Sequence, residues 1–152
     1  MAPLYSSLEL LEDECLGCCA HVACDVARGA ELLREEPLLV ASLGAVDPLV
    51  VLEASQLSAA PKDDPPDESG VWLRGALSVV EVEHLLGLLV SYVSSPKEIR
   101  QAVLQLDDTV EHSTIAALLR ELAALASTHG LSRGLRPAEA RCLLRVAWVN
   151  AL

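Results

Sequence analysis

The chain has 152 residues, a length suited to one compact domain or a short run of repeats. Hydrophobic residues make up 52% and mean hydropathy is +0.38, which excludes a disordered chain, while 3% aromatics without any Phe disfavours a β sandwich or barrel. Twenty-two acidic residues against eleven basic ones leave a net charge of −11, which repels nucleic-acid phosphates and anionic membrane surfaces.

From Leu4 the apolar positions fall at 4, 8, 11, 15, 18, 22, 26, 30 and 33, a spacing that predicts one amphipathic helix ending before Pro37. Ser6 with Glu9 supplies a capping box at its start, and Gly17 and Gly29 mark places where it bends or breaks. The acidic cluster Glu12, Asp13, Glu14 interrupts the first apolar stretch, so no secretory signal is visible. A short apolar segment, Leu38 to Leu43, runs into Gly44. Asp47-Pro48 then provides an N-cap followed by proline at the first helical position, predicting a helix from Pro48 to about Leu57.

Residues 59–70, AAPKDDPPDESG, gather three prolines and four acids, a composition that no helix accepts, and read as an acidic surface loop. Val71 to Val93 is helical in pattern, as one short helix and then a long one starting at Ser78 and Glu81 with Val82, Leu85, Leu86, Leu89 and Val93 on a stripe. The charge-free run between Glu83 and Lys97 is too short for the roughly 20 residues that span a bilayer, so it reads as a buried helix, and so does the LxxLL pattern at 85–89. Ser95-Pro96-Lys97-Glu98 is a strong helix start, with Ser95 as N-cap and Ile99, Ala102, Val103 and Leu106 turned inward.

Asp108 and Glu111 predict the start of a further helix, which carries Ile115, Leu118, Leu119, Leu122 and Leu125 to a stop at Gly130. Arg136-Pro137 opens the last helix, with Cys142, Leu143, Val146 and Val149 inward; its pattern stops at WVNAL without a cap, as expected of a frayed end or of a truncated form of a longer helical-repeat protein. The expectation is a single all-α domain over residues 1–152, a helical repeat or irregular bundle of six to eight helices with no strand.

Residues 44–52, GAVDPLVVL, resemble the stretch in which an armadillo repeat turns through its glycine into its third helix. Residues 82–106, VEHLLGLLVSYVSSPKEIRQAVLQL, resemble the end of one such repeat, a Ser-Ser-Pro turn and the first helix of the next. The resemblance covers about a quarter of the chain and implies an armadillo/HEAT-like fold that binds protein partners. Two departures stand beside it: the acidic stretch at 59–70 falls where a regular array would continue, and the Asn and Trp ladder of many armadillo grooves is not recognisable.

Cys15, Cys18, His21 and Cys24 form the sharpest chemical constellation, three thiolates and an imidazole suited to zinc. On the expected α-helix, side chains spaced by three fan over half the circumference and cannot meet one tetrahedral ion, so the cysteines read as small core residues, with a metal or redox site as the alternative. Five cysteines without a paired framework fit a reducing, cytoplasmic or nuclear compartment. His112, with Asp107, Asp108 and Ser113 close in sequence, makes no triad, because neighbours on one helix point apart. Motifs for nucleotide, metalloprotease or serine hydrolase chemistry are absent, so neither enzymatic activity nor a cofactor is expected.

Charge is unevenly placed: residues 1–60 carry ten acids and two bases, whereas 111–152 carry three acids and five bases. Complementary docking is the functional reading of that asymmetry. Glu12, Asp13 and Glu14 would form an acidic docking edge, and Arg141 and Arg145 a basic one on the last helix. The expected partner is a protein with a basic patch or an amphipathic helix.

Overall fold

The computed structural model describes residues 8–14, 17–29, 36–57, 77–106, 108–110 and 112–151. The acidic stretch 59–70, the expected short helix at 71–76, and Ser6, Cys15, Asp107 and Glu111 lie outside the described residues. Two compact units are present, Met1–Pro37 and Leu38–Leu152.

The first unit corrects the expected N-terminal helix. Its described part is an antiparallel hairpin of β1 (Leu8–Asp13) and β2 (Gly17–Val22), in a register that pairs Leu8 with Val22 and Asp13 with Gly17. Glu9, expected in a capping box, lies opposite His21 instead. Gly17 and the middling helix formers Cys18, Cys19, His21 and Val22, the last β-branched, let the chain pair as strands despite Ala20 and an apolar spacing that a helix would also satisfy. Residues 14–16 connect the strands, and Gly17 follows them.

The second unit is mostly helical, and it contains the five α-helices found among the described residues, fewer than the six to eight expected. Helix α1 (Pro48–Ser55) starts as its sequence dictates, with the Asp47 carboxylate accepting from the Leu49 N–H at 2.8 Å and Pro48 in the first turn. Helix α2 (Val79–Ser94) opens with the complete capping box: Ser78 Oγ accepts from the Glu81 N–H, and the Glu81 carboxylate accepts from the Ser78 N–H at 2.6 Å.

Helix α3 (Lys97–Leu104) begins one residue later than expected, because the Ser95 hydroxyl donates back to the Ser91 carbonyl at 2.7 Å and so closes α2 instead of capping α3. Helix α4 (Ser113–Thr128) likewise starts after His112, not at Asp108, whose carboxylate is engaged by Arg145. Its end follows the sequence: Gly130 adopts φ +72°, the Leu131 N–H reaches the Ala126 carbonyl at 2.9 Å and the Gly130 N–H reaches Ser127 at 3.0 Å, the double bond pattern that glycine permits at this position. Helix α5 (Pro137–Ala151) follows.

The core lies where α5 meets α2, α3 and α4, and α1 packs on α2. Val82, Leu85, Leu86 and Leu89 of α2, Leu118, Leu119 and Leu122 of α4, and Leu143 and Leu144 of α5 are all essentially inaccessible. The LxxLL segment is thus core, as its charge-free surroundings predict. Two inward assignments fail at the margins: Leu106 and Val149 are exposed, each near an element's end, where there is less to pack against.

The segment before Gly44 crosses α2 at Gly87. The Ser42 N–H donates to the Gly87 carbonyl at 3.2 Å, and the Ser42 and Ser91 hydroxyls hydrogen-bond at 2.6 Å. A Cβ at Gly87 would sit 3.2 Å from the Ser42 carbonyl oxygen and 3.3 Å from Ala41 Cβ, neither of which is the free end of a flexible side chain. Glycine is tolerated mid-helix here because the backbones approach so closely. Gly87→Leu is expected to destabilise by roughly 1–3 kcal/mol through overpacking. Hydrogen exchange should show early loss of protection at Ser42 with α4 and α5 still protected; an unchanged Ser42 amide would contradict the crossing.

Candidate functional site

The two sequence-derived edges are surfaces that carry charge. On the hairpin, Glu12 lies at a β1 position opposite Cys18, and Glu14 follows the strand; both are exposed. Asp13 pairs with Gly17 in the backbone register, and its side chain is outside the described residues. Leu11, next to Glu12 in β1 and therefore on the opposite face of the hairpin, is 48% exposed.

Arg141 and Arg145 occupy successive turns of α5 and are both exposed, but they have different surroundings. Arg145 is committed within the fold: its Nε donates to the Asp108 carbonyl at 3.1 Å, and its Nη2 pairs with the Asp108 carboxylate. Arg141 has no carboxylate partner among the described residues and lines an open groove between α4 and α5. Of the two arginines, Arg141 is therefore the one available to a partner.

The inner side of α5 carries a polar network that the sequence reading missed. The buried Tyr92 hydroxyl of α2 donates to Glu139 at 2.8 Å, and the Cys142 thiol donates to the Asp108 carboxylate at 3.6 Å. Glu139, Cys142 and Arg145 are spaced by three along α5, a stripe that the sequence displays but that is meaningless until Tyr92 and Asp108 are brought to it. Burial, then the Asp108 carboxylate, pushes the Cys142 thiol up, and burial followed by the hydrogen bond to Glu139 raises Tyr92 well above the usual phenol range. A thiol held protonated is a poor nucleophile, so this cluster ties α5 to α2 and to the α3–α4 connection.

The cysteine cluster is only partly placed. Cys15 is outside the described residues, Cys18 lies in β2 with its side chain likewise undescribed, and His21 and Cys24 are exposed. The fan geometry of a helix does not apply to this hairpin. Among the described residues, no group of three or more His, Cys, Asp or Glu side chains is placed to hold a metal ion. Nor is any helix among them long and apolar enough to cross a membrane.

A third surface feature belongs to α1. Its inner side buries Val50, Val51 and Ala54, yet Leu49 and Leu52 are 72% and 51% exposed, and Leu43 just before the helix is 67% exposed. Helix α1 is thus apolar on both faces. Comparison with known proteins leaves the site to be read from its own chemistry: the chain matches no family model, no curated protein and no solved structure.

Proposed function

We propose that the chain is a non-enzymatic protein–protein interaction module of helical-repeat character, an adaptor or scaffold subunit of a larger assembly in the cytoplasm or nucleus. One observation carries this reading: helix α1 leaves Leu49 and Leu52 in solvent while its other face is fully packed. A short helix with leucines on its outer face loses nothing by being covered, and contiguous exposed apolar side chains are the usual mark of a protein contact. The charge asymmetry adds selectivity, with Glu12 and Glu14 suited to a basic patch or to the basic side of an amphipathic helix.

The armadillo-like reading is part of this proposal, and two turns fit it. Gly44 takes φ +77° just before α1, and Ser95-Pro96 separates α2 from α3, at the turns that the resemblance requires. If α1, α2 and α5 hold equivalent places at the ends of successive repeats, the packing of α1 on α2 and of α2 on α5 is the nearest-neighbour stacking of a solenoid. Contacts of α5 with α3 and α4 then lie within the last repeat.

The test is affinity purification of the tagged chain from cells, comparing wild type with Leu49→Ser/Leu52→Ser and with charge reversal of Glu12, Asp13 and Glu14. Leu49, Leu52, Glu12 and Glu14 are exposed, so thermal melts of both variants should stay within a few degrees of wild type. A stoichiometric protein partner lost in the leucine variant is the expected result. Recovery of the same proteins by all three chains, or of chaperones only, would overturn the adaptor reading.

A further inference from the structure

The α4–α5 groove combines an apolar lining with the exposed guanidinium of Arg141. It has a volume of about 340 Å³, and Ala123, Ala124 and Ala140 form its floor with Leu135 at one end. Arg120 of α4 and Arg141 of α5 stand on its two walls. On each helix the lining recurs at helical spacing, 120, 123 and 124 on α4 and 137, 140 and 141 on α5, so each helix turns one face to the groove. Small side chains along it let another backbone come close.

Charge selects what would enter. The chain as a whole carries −11, yet this face is basic: Arg133, Arg136 and Arg141 are exposed without a carboxylate partner among the described residues, and Arg120 has only a loose contact of 3.9 Å with Glu121. Of the nearby carboxylates of known placement, Glu121 makes only that loose contact, and Glu139 and Asp108 are engaged by Tyr92 and Arg145. A basic surface on a chain of net charge −11 favours an acidic ligand at that face.

We propose that this groove binds an acidic amphipathic helix of a partner protein, with small apolar side chains on the alanine floor and carboxylates paired to Arg120 and Arg141. The assignment rests on the interaction-module reading and names the partner chemistry on its arginine side. Arginine suits the role, since its planar fork takes a carboxylate through two parallel hydrogen bonds. Exposed pairs of this kind are screened, so binding should weaken as salt rises from 50 to 500 mM.

The probe is a phage-displayed library of random 16-residue peptides selected on the full chain. Enriched sequences should be net acidic with an apolar stripe at helical spacing. Synthesised, they should bind Arg120→Glu/Arg141→Glu and the groove-filling Ala124→Trp at least tenfold more weakly than wild type. Lys97→Glu, a reversal at an exposed α3 residue outside the groove lining, should lose no more than about twofold through the long-range field, less than either Arg120→Glu or Arg141→Glu alone. Neutral or basic enriched peptides, no enrichment, or a loss in Lys97→Glu equal to that of the single groove reversals would each overturn the groove assignment. The purification experiment on Leu49 and Leu52 reads the adaptor proposal separately, so failure of one does not entail failure of the other.

Discussion

Leu122→Ala is expected to lower the stability of the helical unit by roughly 2–5 kcal/mol, the range for emptying a fully buried leucine site that collapses only in part. Leu122 has no accessible surface and sits on the α4 stripe with Leu118 and Leu119, sealed in the core alongside Leu85, Leu86 and Leu89 of α2 and Leu143 and Leu144 of α5. Tyr92, the aromatic fully buried among the described residues, is tethered to Glu139 and so is held away from filling the gap. Domains of this size are stable by about 5–15 kcal/mol in total, so a loss of this order is a large fraction of the whole. Urea unfolding should show a lower midpoint with an unchanged slope. Leu49→Ala, a chemically identical truncation at a residue 72% exposed, should stay within about 0.5 kcal/mol of wild type. Equal losses at the two sites would mean that the outer face of α1 is needed for folding, and would remove the main reason for treating it as a partner surface.

Which parts of this architecture were legible in the residues depended on whether a signal was local and unambiguous. Asp47-Pro48, Ser78 with Glu81 and Gly130 each specify a helix terminus through bonds made within a few residues, and all three form. The leucine stripes of α2 and α4 have a single solution, because alternation could not bury them. Residues 8–22 failed because spacings of three and four there coexist with a glycine and a run of middling helix formers, so the period did not decide the conformation. Ser95 and Asp108 failed for another reason: both are good caps by type, but one closes the preceding helix and the other meets an arginine 37 residues away. Long-range partners also explain why the Tyr92–Glu139 contact was invisible, and why Arg145 proved committed to the fold while Arg141, four residues earlier, is open to a partner.

Alkaline unfolding should reveal Tyr92 as the residue whose protonation holds α2 to α5. The hydroxyl is buried and donates to Glu139, so ionising it would place a phenolate in the core facing a carboxylate and remove the donated proton. Burial and that hydrogen bond raise its titration well above the unfolded value near 10; Cys142 adds to the rise, and Arg100 of α3 opposes it in part. The sign follows directly: above the unfolded value the unfolded chain has released this proton while the folded chain retains it, so stability falls as pH rises. The slope for one such group is about 1.4 kcal/mol per pH unit, or roughly 2–3 kcal/mol between pH 10 and 12. Cys142, also raised by burial, starts the decline lower, from about pH 9. Tyr92→Phe separates the contributions, because phenylalanine keeps the packing and loses the proton. Near pH 7 it should cost about 1–2 kcal/mol for the hydrogen bond to a half-exposed carboxylate. Its stability should then decline less steeply than wild type above pH 10, so that the two curves converge and cross; parallel curves to pH 12 would show that Tyr92 ionises as freely in the fold as out of it.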